Sequence, residues 1–223
     1  LRDAGTFLGL VLIFAVFAVL NPVFLTAPNL INILQQSSIN ACIALGMTFV
    51  IISGGIDLSV GPTAAVSAIV GATLMIAGVP IPLAVAGAIA TGMACGLFNG
   101  ALVAIAGLQP FIVTLGALSL YRALALIFTG GNPIFGIPTE FRSAINGLVM
   151  GVPVPVIIVA IIAAILWVVL NRSPLGEYIL AVGGNPEAAR IAGVPVARTK
   201  IIVYVLSGGL AAVAALILKI GRA

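Results

Sequence analysis

The side chains able to do chemistry in this 223-residue chain are few, and they lie within or beside long apolar runs. Asp57 and Ser59 follow two glycines at positions 54 and 55, and Arg122 lies near the middle of the apolar run 111–129. The chain has no histidine, the commonest general base and metal ligand, and no paired carboxylates. These residues therefore indicate a polar path or a structural polar contact, and they indicate neither an enzyme nor a metal site.

Two predictions are open for the polar break at residues 53–62. In the first, the break is a cytoplasmic turn, and Asp57 or Ser59 caps the helix that follows. In the second, the helix is discontinuous, and its free N–H groups and Asp57 line a polar cavity, since irregular backbone at membrane depth is tolerated there. Counting the crossings puts the break on the cytoplasmic side, which favours the cap.

Arg122 would lie about 16 Å along its helix at 1.5 Å per residue. An arginine at that depth costs about 2.5–3.5 kcal/mol on insertion scales. We therefore expect it to face the interior of the bundle and to find an acceptor there. Uncharged polar residues supply either hydrogen bonds between helices or a hydrated path; they are Asn40, Asn99, Gln109 and Thr114. The predicted translocation pathway comprises Asn40, Asp57, Ser59, Asn99, Thr114 and Arg122.

Three glycines indicate a packing face rather than chemistry. Gly92, Gly96 and Gly100 recur every four residues within one apolar run, so they lie near one face of a helix. Small residues at this spacing let the backbone of another helix approach closely. We predict that a neighbouring helix packs against them.

Composition identifies the environment of the chain. Residues are 62% hydrophobic and 6% charged, whereas soluble domains are roughly 25% charged. The formal net charge of +4 does not indicate nucleic acid, because nine Lys and Arg spread through apolar sequence form no basic face. The partner implied by composition is the lipid bilayer.

Seven apolar stretches are long enough to cross a bilayer. They are residues 5–20, 31–53, 60–77, 83–106, 111–129, 154–170 and 201–220. The predicted fold is therefore all-α, a polytopic transmembrane helical bundle that forms one domain over residues 1–223. The chain starts without Met and stops just after the last stretch, so we expect it to be truncated at its C-terminus.

The basic residues predict the orientation, since Lys and Arg concentrate in short cytoplasmic loops. The loop 171–200 is assigned to the cytoplasm because it contains Arg172, Arg190, Arg198 and Lys200. Six crossings back, the N-terminus is also cytoplasmic, and Arg142 falls in the longer external loop 130–153. Lys219 and Arg222 fit poorly, so either they line an aqueous cavity or the last helix stops short.

The loop 171–200 contains the signature of a short helix. Asn185 suits the N-cap, Pro186 the first helical position, Glu187 the positive end of the dipole, and Gly193 a left-handed C-terminus. A helix of about two turns is too short to persist alone in water, so it must dock on something. Small residues at 188, 189 and 192 predict a surface for close approach to a partner protein, and Arg190 can brace Glu187.

Four motifs, in order over nearly the whole chain, resemble the permease of bacterial ATP-binding-cassette (ABC) importers for monosaccharides of the ribose and xylose type. They are NLINILQQSS at 29–38, ALGMT at 44–48 continuing into 53–61, PFIVTLG at 110–116 with glycines at 130 and 131, and GGNPEAAR at 183–190 with Gly193. Members of that family continue for two or three further spans, so this chain departs from the family at its C-terminus.

The resemblance implies import of a small polyhydroxyl solute across the bacterial inner membrane. It also implies a second permease copy or homologue, a cytoplasmic ATP-binding subunit and an external solute-binding protein. The segment that corresponds to the family's coupling helix is Asn185, Pro186, Glu187, Ala188, Ala189, Arg190 and Gly193. The chain has no phosphate-binding glycine loop, so ATP and Mg are expected on the partner subunit and no cofactor on this chain.

An ion-coupled secondary transporter of a small polar solute is the alternative. Such transporters normally need several carboxylates within the membrane, and Asp57 is the one available. An intramembrane enzyme is weaker still, because the catalytic groups are missing. The sequence leaves open which sugar or related solute is carried, and whether the permease pair is a homodimer or a heterodimer.

Overall fold

The computed structural model describes residues 2–218, and this part of the chain is mostly helical. The helices are α1 (Arg2–Leu20), α2 (Ala27–Ile52), α3 (Val60–Ile76), α4 (Ile81–Ala104), α5 (Pro110–Thr129), α6 (Thr139–Asn146), α7 (Val154–Arg172), α8 (Pro174–Gly184), α9 (Pro186–Ile191) and α10 (Val196–Leu218). A two-stranded antiparallel hairpin joins β1 (Leu148–Val149) to β2 (Val152–Pro153).

Each predicted span coincides with a helix, namely α1 to α5, α7 and α10. Over residues 2–218, the helices α2, α4, α5, α7 and α10 are long and apolar enough to cross a membrane, while residues 7–20 and α3 form shorter apolar helices. The predicted all-α, polytopic bundle is confirmed. Lys219, Arg222 and the end of the seventh predicted span lie outside the described residues.

Proline determines where many of these helices begin. A proline stands in the first turn of α2, α4, α5, α7, α8 and α9. Proline has no N–H to donate, and the first turn of a helix has no acceptor for one, so the residue is tolerated there and pre-sets the backbone. Proline therefore fixes the start of these six helices to within about a residue or two.

The centre of the bundle is α10, which packs on α4, α2 and α3 and has more than half of its residues buried. The closest approach is to α4. A Cβ atom added at Gly92 would collide with the carbonyl of Gly208, and one added at Gly96 would collide with the carbonyl of Tyr204. At Gly100 a Cβ would lie 3.0 Å from the Cα of Ile201. All three glycines of α4 therefore face α10, and backbone contact between these helices is possible because the side chains are absent.

Two regions expected to be plain loops contain additional structure. The loop 130–153 includes α6, whose Phe141 is buried against the apolar cluster that contains Met75 and Leu216, and the β1–β2 hairpin. The hairpin turns through Met150 and Gly151, both with positive φ, as a tight two-residue turn requires. The loop 171–200 contains α8 in addition to the predicted short helix α9.

Candidate functional site

The break between α2 and α3 is only partly at the surface: Ser53, Asp57 and Ser59 are buried, whereas Gly54 and Ile56 are exposed. The Tyr204 hydroxyl donates to the Ile56 carbonyl at 3.1 Å. Tyr204 is eight residues into α10, about 12 Å from its start. One groove is lined by the starts of α5 and α10 and by the end of α4. These three helix ends therefore lie at the same end of the bundle. The irregular backbone at 53–59 therefore lies about two helical turns away from that end of the bundle.

The Asp57 carboxylate is buried and accepts three hydrogen bonds. Its Oδ1 accepts from the Ser59 backbone N–H at 2.9 Å and from the Ser59 hydroxyl at 2.6 Å, and its Oδ2 accepts from the Ser207 hydroxyl of α10 at 3.2 Å. Within residues 2–218 no Lys or Arg pairs with it. Hydrogen bonds alone therefore satisfy this carboxylate, and they connect the break to the central helix.

A chain of hydrogen bonds continues from Asp57 to α4 and α5. The Asn99 carboxamide donates to the Ser59 hydroxyl at 2.8 Å, and the Tyr121 hydroxyl lies 3.0 Å from both Asn99 Oδ1 and the Cys95 carbonyl. Thr114 of α5 is buried with its hydroxyl 3.3 Å from the Ile56 carbonyl, although its shorter bond, at 2.8 Å, is to Pro110 in its own helix. The break is thus held by side chains from three different helices.

This geometry differs from both sequence predictions. Ser59 occupies the N-cap position of α3, but its side chain makes no capping bond; Asp57, two residues earlier, accepts the Ser59 N–H instead. The second prediction required Asp57 to line a polar cavity, but Asp57 is 3% exposed and lines no open cavity in this conformation. Buried irregular backbone at this depth is tolerated because protein side chains satisfy it.

Four of the six predicted pathway residues, Asp57, Ser59, Asn99 and Thr114, meet at the break, while the other two do not. Arg122 is exposed on the outer surface of α5, so the prediction that it faces the interior of this chain's bundle is wrong. The reason is rotational: the neighbouring Tyr121 takes the inward position on α5. Asn40 is exposed on α2, which packs on α7, α8 and α10 rather than on α5.

The short helix in the loop 171–200 forms as its sequence predicts. The Asn185 side chain accepts from the backbone N–H groups of Glu187 and Ala188, both at 3.0 Å, and Pro186 is the first helical residue. Gly193 has φ 84°, and the N–H groups of Gly193 and Val194 bond back to the carbonyls of residues 190 and 189. This is a Schellman ending. Arg190 and Glu187 form an exposed ion pair at 3.4 Å.

One assignment within α9 needs correction. Ala189 was predicted to belong to the surface that approaches a partner, but it is buried against Val182 of α8 and Val196 of α10. The packing of α8 and α10 on this side of α9 buries it. The exposed face of α9 consists instead of Glu187, Ala188, Arg190, Ile191 and Ala192. Ala189 therefore anchors the helix, and Ile191, 89% exposed, is its most prominent apolar side chain.

Several residues that build this region were not singled out from the sequence. Tyr204, Ser207 and Tyr121 hold the break, yet each reads as an ordinary residue of an apolar helix. The helix α8 had a usable signal, because Ser173 and Pro174 are a cap followed by a first-turn proline. Gly183 of α8 lies against the Ile52 carbonyl, where a Cβ would collide, which fixes the end of α2 beside this loop.

The fold defines a polytopic helical membrane protein. The chain belongs to the family of permease components of branched-chain amino acid transport systems, which matches residues 29–222. It is 42% identical over 220 residues to the ribose import permease protein of Bacillus subtilis, covering 98% of this chain and 68% of that protein. It is a permease subunit of an ATP-binding-cassette importer, a transport component rather than an enzyme.

Two other relatives are similar to a comparable degree. The ribose import permease protein of Escherichia coli is 41% identical over 221 residues, covering 97% of this chain and 69% of that protein. The D-allose transport system permease protein of Escherichia coli is 41% identical over 215 residues, covering 96% of this chain and 66% of that protein. No solved structure matches the chain.

Proposed function

We propose that this chain forms part of the transmembrane pathway for a monosaccharide of the ribose or allose type. It also couples transport through that pathway to ATP hydrolysis by a cytoplasmic ATPase. The relatives named for ribose and D-allose import support the solute class. A second permease copy or homologue completes the pathway, an external binding protein delivers the solute, and ATP and Mg bind to the ATPase. The membrane is the bacterial inner membrane, with the N-terminus and the loop 171–200 in the cytoplasm.

The observation that carries the coupling role is the construction of α9. This six-residue helix is capped at both ends by its own sequence and anchored by one buried residue, Ala189. Its opposite face is exposed and carries Ile191 and the Glu187–Arg190 pair. A surface-lying membrane helix needs a broad apolar face, and α9 offers a single large apolar side chain. The arrangement fits a small projection that inserts into a recess of a partner protein.

The outer face of α5 is the basis for our proposal of where the pathway runs. Arg122 lies about 18 Å from the start of the helix, close to its midpoint, and Gly116 and Ser119 on the same side are also exposed. A guanidinium facing lipid at that depth carries the insertion cost of about 2.5–3.5 kcal/mol. We therefore assign this face to the hydrated boundary with the second permease rather than to lipid.

The coupling role is tested by Ile191→Asp. We expect the variant to insert and fold, because Ile191 is exposed, but to lose co-purification with the ATPase and solute-stimulated ATP hydrolysis, since a carboxylate replaces the apolar contact. The matched control is Phe135→Asp, another highly exposed apolar side chain, in the loop after α5 at the opposite end of the bundle. Equal association of the ATPase in both variants and the wild type would contradict the coupling role.

Transport in liposomes separates the proposal from ion-coupled transport. We expect uptake of ribose into liposomes that contain the reconstituted importer to require ATP on the side of α9 and to persist when ion gradients are collapsed. Uptake that follows an ion gradient without ATP would refute the ATP-driven mechanism.

A further inference from the structure

A basic groove beside α9 has no assigned role. It has a volume of about 830 Å³ and lies between the α4–α5 connection and the segment that leads from α9 into α10. Its lining includes Arg190, Arg198 and Lys200 and no carboxylate. Arg190 is engaged with Glu187, whereas Arg198 and Lys200 form no ion pair within residues 2–218. Two uncompensated cations therefore face a space that holds no acidic group of this chain.

The groove lies at one end of the helical bundle. The last turn of α4 and the first residues of α5 and α10 line it, so its floor is at the ends of three membrane-spanning helices. The lining also includes an apolar side chain, Leu108, which is 48% exposed, and Ile105, which follows the lining residue Ala104 in sequence, is 74% exposed. Cations thus adjoin apolar surface that faces away from the protein.

From this juxtaposition we propose that the groove binds the phosphate headgroup of an anionic phospholipid. The phosphate lies against Arg198 and Lys200, and the acyl chains cover Ile105 and Leu108. Basic pockets between membrane helices are suited to anionic headgroups, because the helices place cations at the depth of the lipid phosphate. One lipid molecule satisfies both the charge and the apolar border. An acidic segment of the ATPase would satisfy the charge and leave the apolar border in water.

The proposal is tested with the intact importer purified in detergent and titrated with dioleoyl-phosphatidylglycerol or dioleoyl-phosphatidylcholine, with bound lipid measured by native mass spectrometry. Each basic residue near an anionic surface contributes roughly fivefold in affinity. We expect Arg198→Gln and Lys200→Gln each to weaken phosphatidylglycerol binding about fivefold, and the double variant roughly 30-fold. Binding of phosphatidylcholine is expected to be weaker and unchanged by the substitutions.

Two controls make the test specific. Arg172→Gln removes the same charge from an exposed position in the same loop outside the groove, and it is expected to leave binding unchanged. The exchange of Arg198→Lys with Lys200→Arg keeps the charge and is expected to retain binding, which separates charge from folding. Equal binding of both lipids, or equal loss in Arg172→Gln, would overturn the proposal. So would full displacement of the lipid by inorganic phosphate, or loss of the ATPase from the double variant with lipid binding intact.

Discussion

The hydrogen bonds around Asp57 predict a large stability difference between two substitutions that remove the same charge. In Asp57→Asn, the carboxamide oxygen can accept from the Ser59 N–H and hydroxyl, and its NH₂ group can donate to Ser207. In Asp57→Ala, the buried Ser59 N–H loses its acceptor and the two serine hydroxyls must find others. Because the charge is absent from both variants, their difference isolates the hydrogen bonds from the electrostatics.

The magnitude follows from the number of stranded donors. A buried donor left without a partner costs about 1–3 kcal/mol. Serine hydroxyls in a helix can turn to a backbone carbonyl one turn back, so the Ser207 hydroxyl recovers part of its loss. We expect Asp57→Ala to be less stable than Asp57→Asn by about 3 kcal/mol. For a chain of this size, that corresponds to a lower apparent Tm by roughly 6–12 °C.

The assay is the loss of monodisperse protein on heating, followed by fluorescence-detected size exclusion in one detergent at one pH. The matched control is Ser38→Ala, which removes a buried hydroxyl whose single bond, at 2.7 Å, is to the Leu34 carbonyl of its own helix. That control is expected to shift the apparent Tm by much less than Asp57→Ala. If the Ala and Asn variants of Asp57 melt within about 2 °C of each other, well below the shift expected for stranded donors, the network does not hold the break.

The contacts of three further residues predict how their substitution changes stability or ATPase association. Gly96→Ala is expected to destabilise the α4–α10 contact by about 1–3 kcal/mol, whereas Gly9→Ala, in α1 with nothing within 4 Å of an added Cβ, is expected to be neutral; apparent Tm in detergent compares them. Asn185→Ala is expected to lower the stability of α9 by about 1 kcal/mol and to weaken association with the ATPase, whereas Asn185→Asp is expected to keep the helix stability and the association. Co-purification of the ATPase is the measurement, and equal loss of association in both variants would contradict the capping role of Asn185. Gly193→Ala places a Cβ at φ 84° and is expected to loosen α9 at a cost of about 1–2 kcal/mol, detected as faster amide exchange over residues 186–191; unchanged exchange would contradict the role of the left-handed ending.

The sequence predicted the features of this protein that depend on neighbouring residues. The positions of α1 to α5, α7 and α10 follow from the lengths of the apolar runs, because a bilayer requires about 20 apolar residues for each helical crossing. The start and end of α9 follow from Asn185, Pro186 and Gly193, because caps act within a few residues of chain. The glycine spacing on α4 likewise indicated a packing face, which the structure places against α10.

Only the tertiary structure decided which faces these helices turn inward. Arg122 and Tyr121 are adjacent in sequence, but the rotation of α5 against α3 and α4 buries the tyrosine and exposes the arginine. Ala189 likewise turned out to be an anchor because α8 and α10 pack on its side of α9. In helices that are apolar all round, hydrophobic periodicity does not identify the buried face. The inward face is then set by contacts between residues far apart in sequence, such as that between Asp57 and Ser207, which no local pattern records.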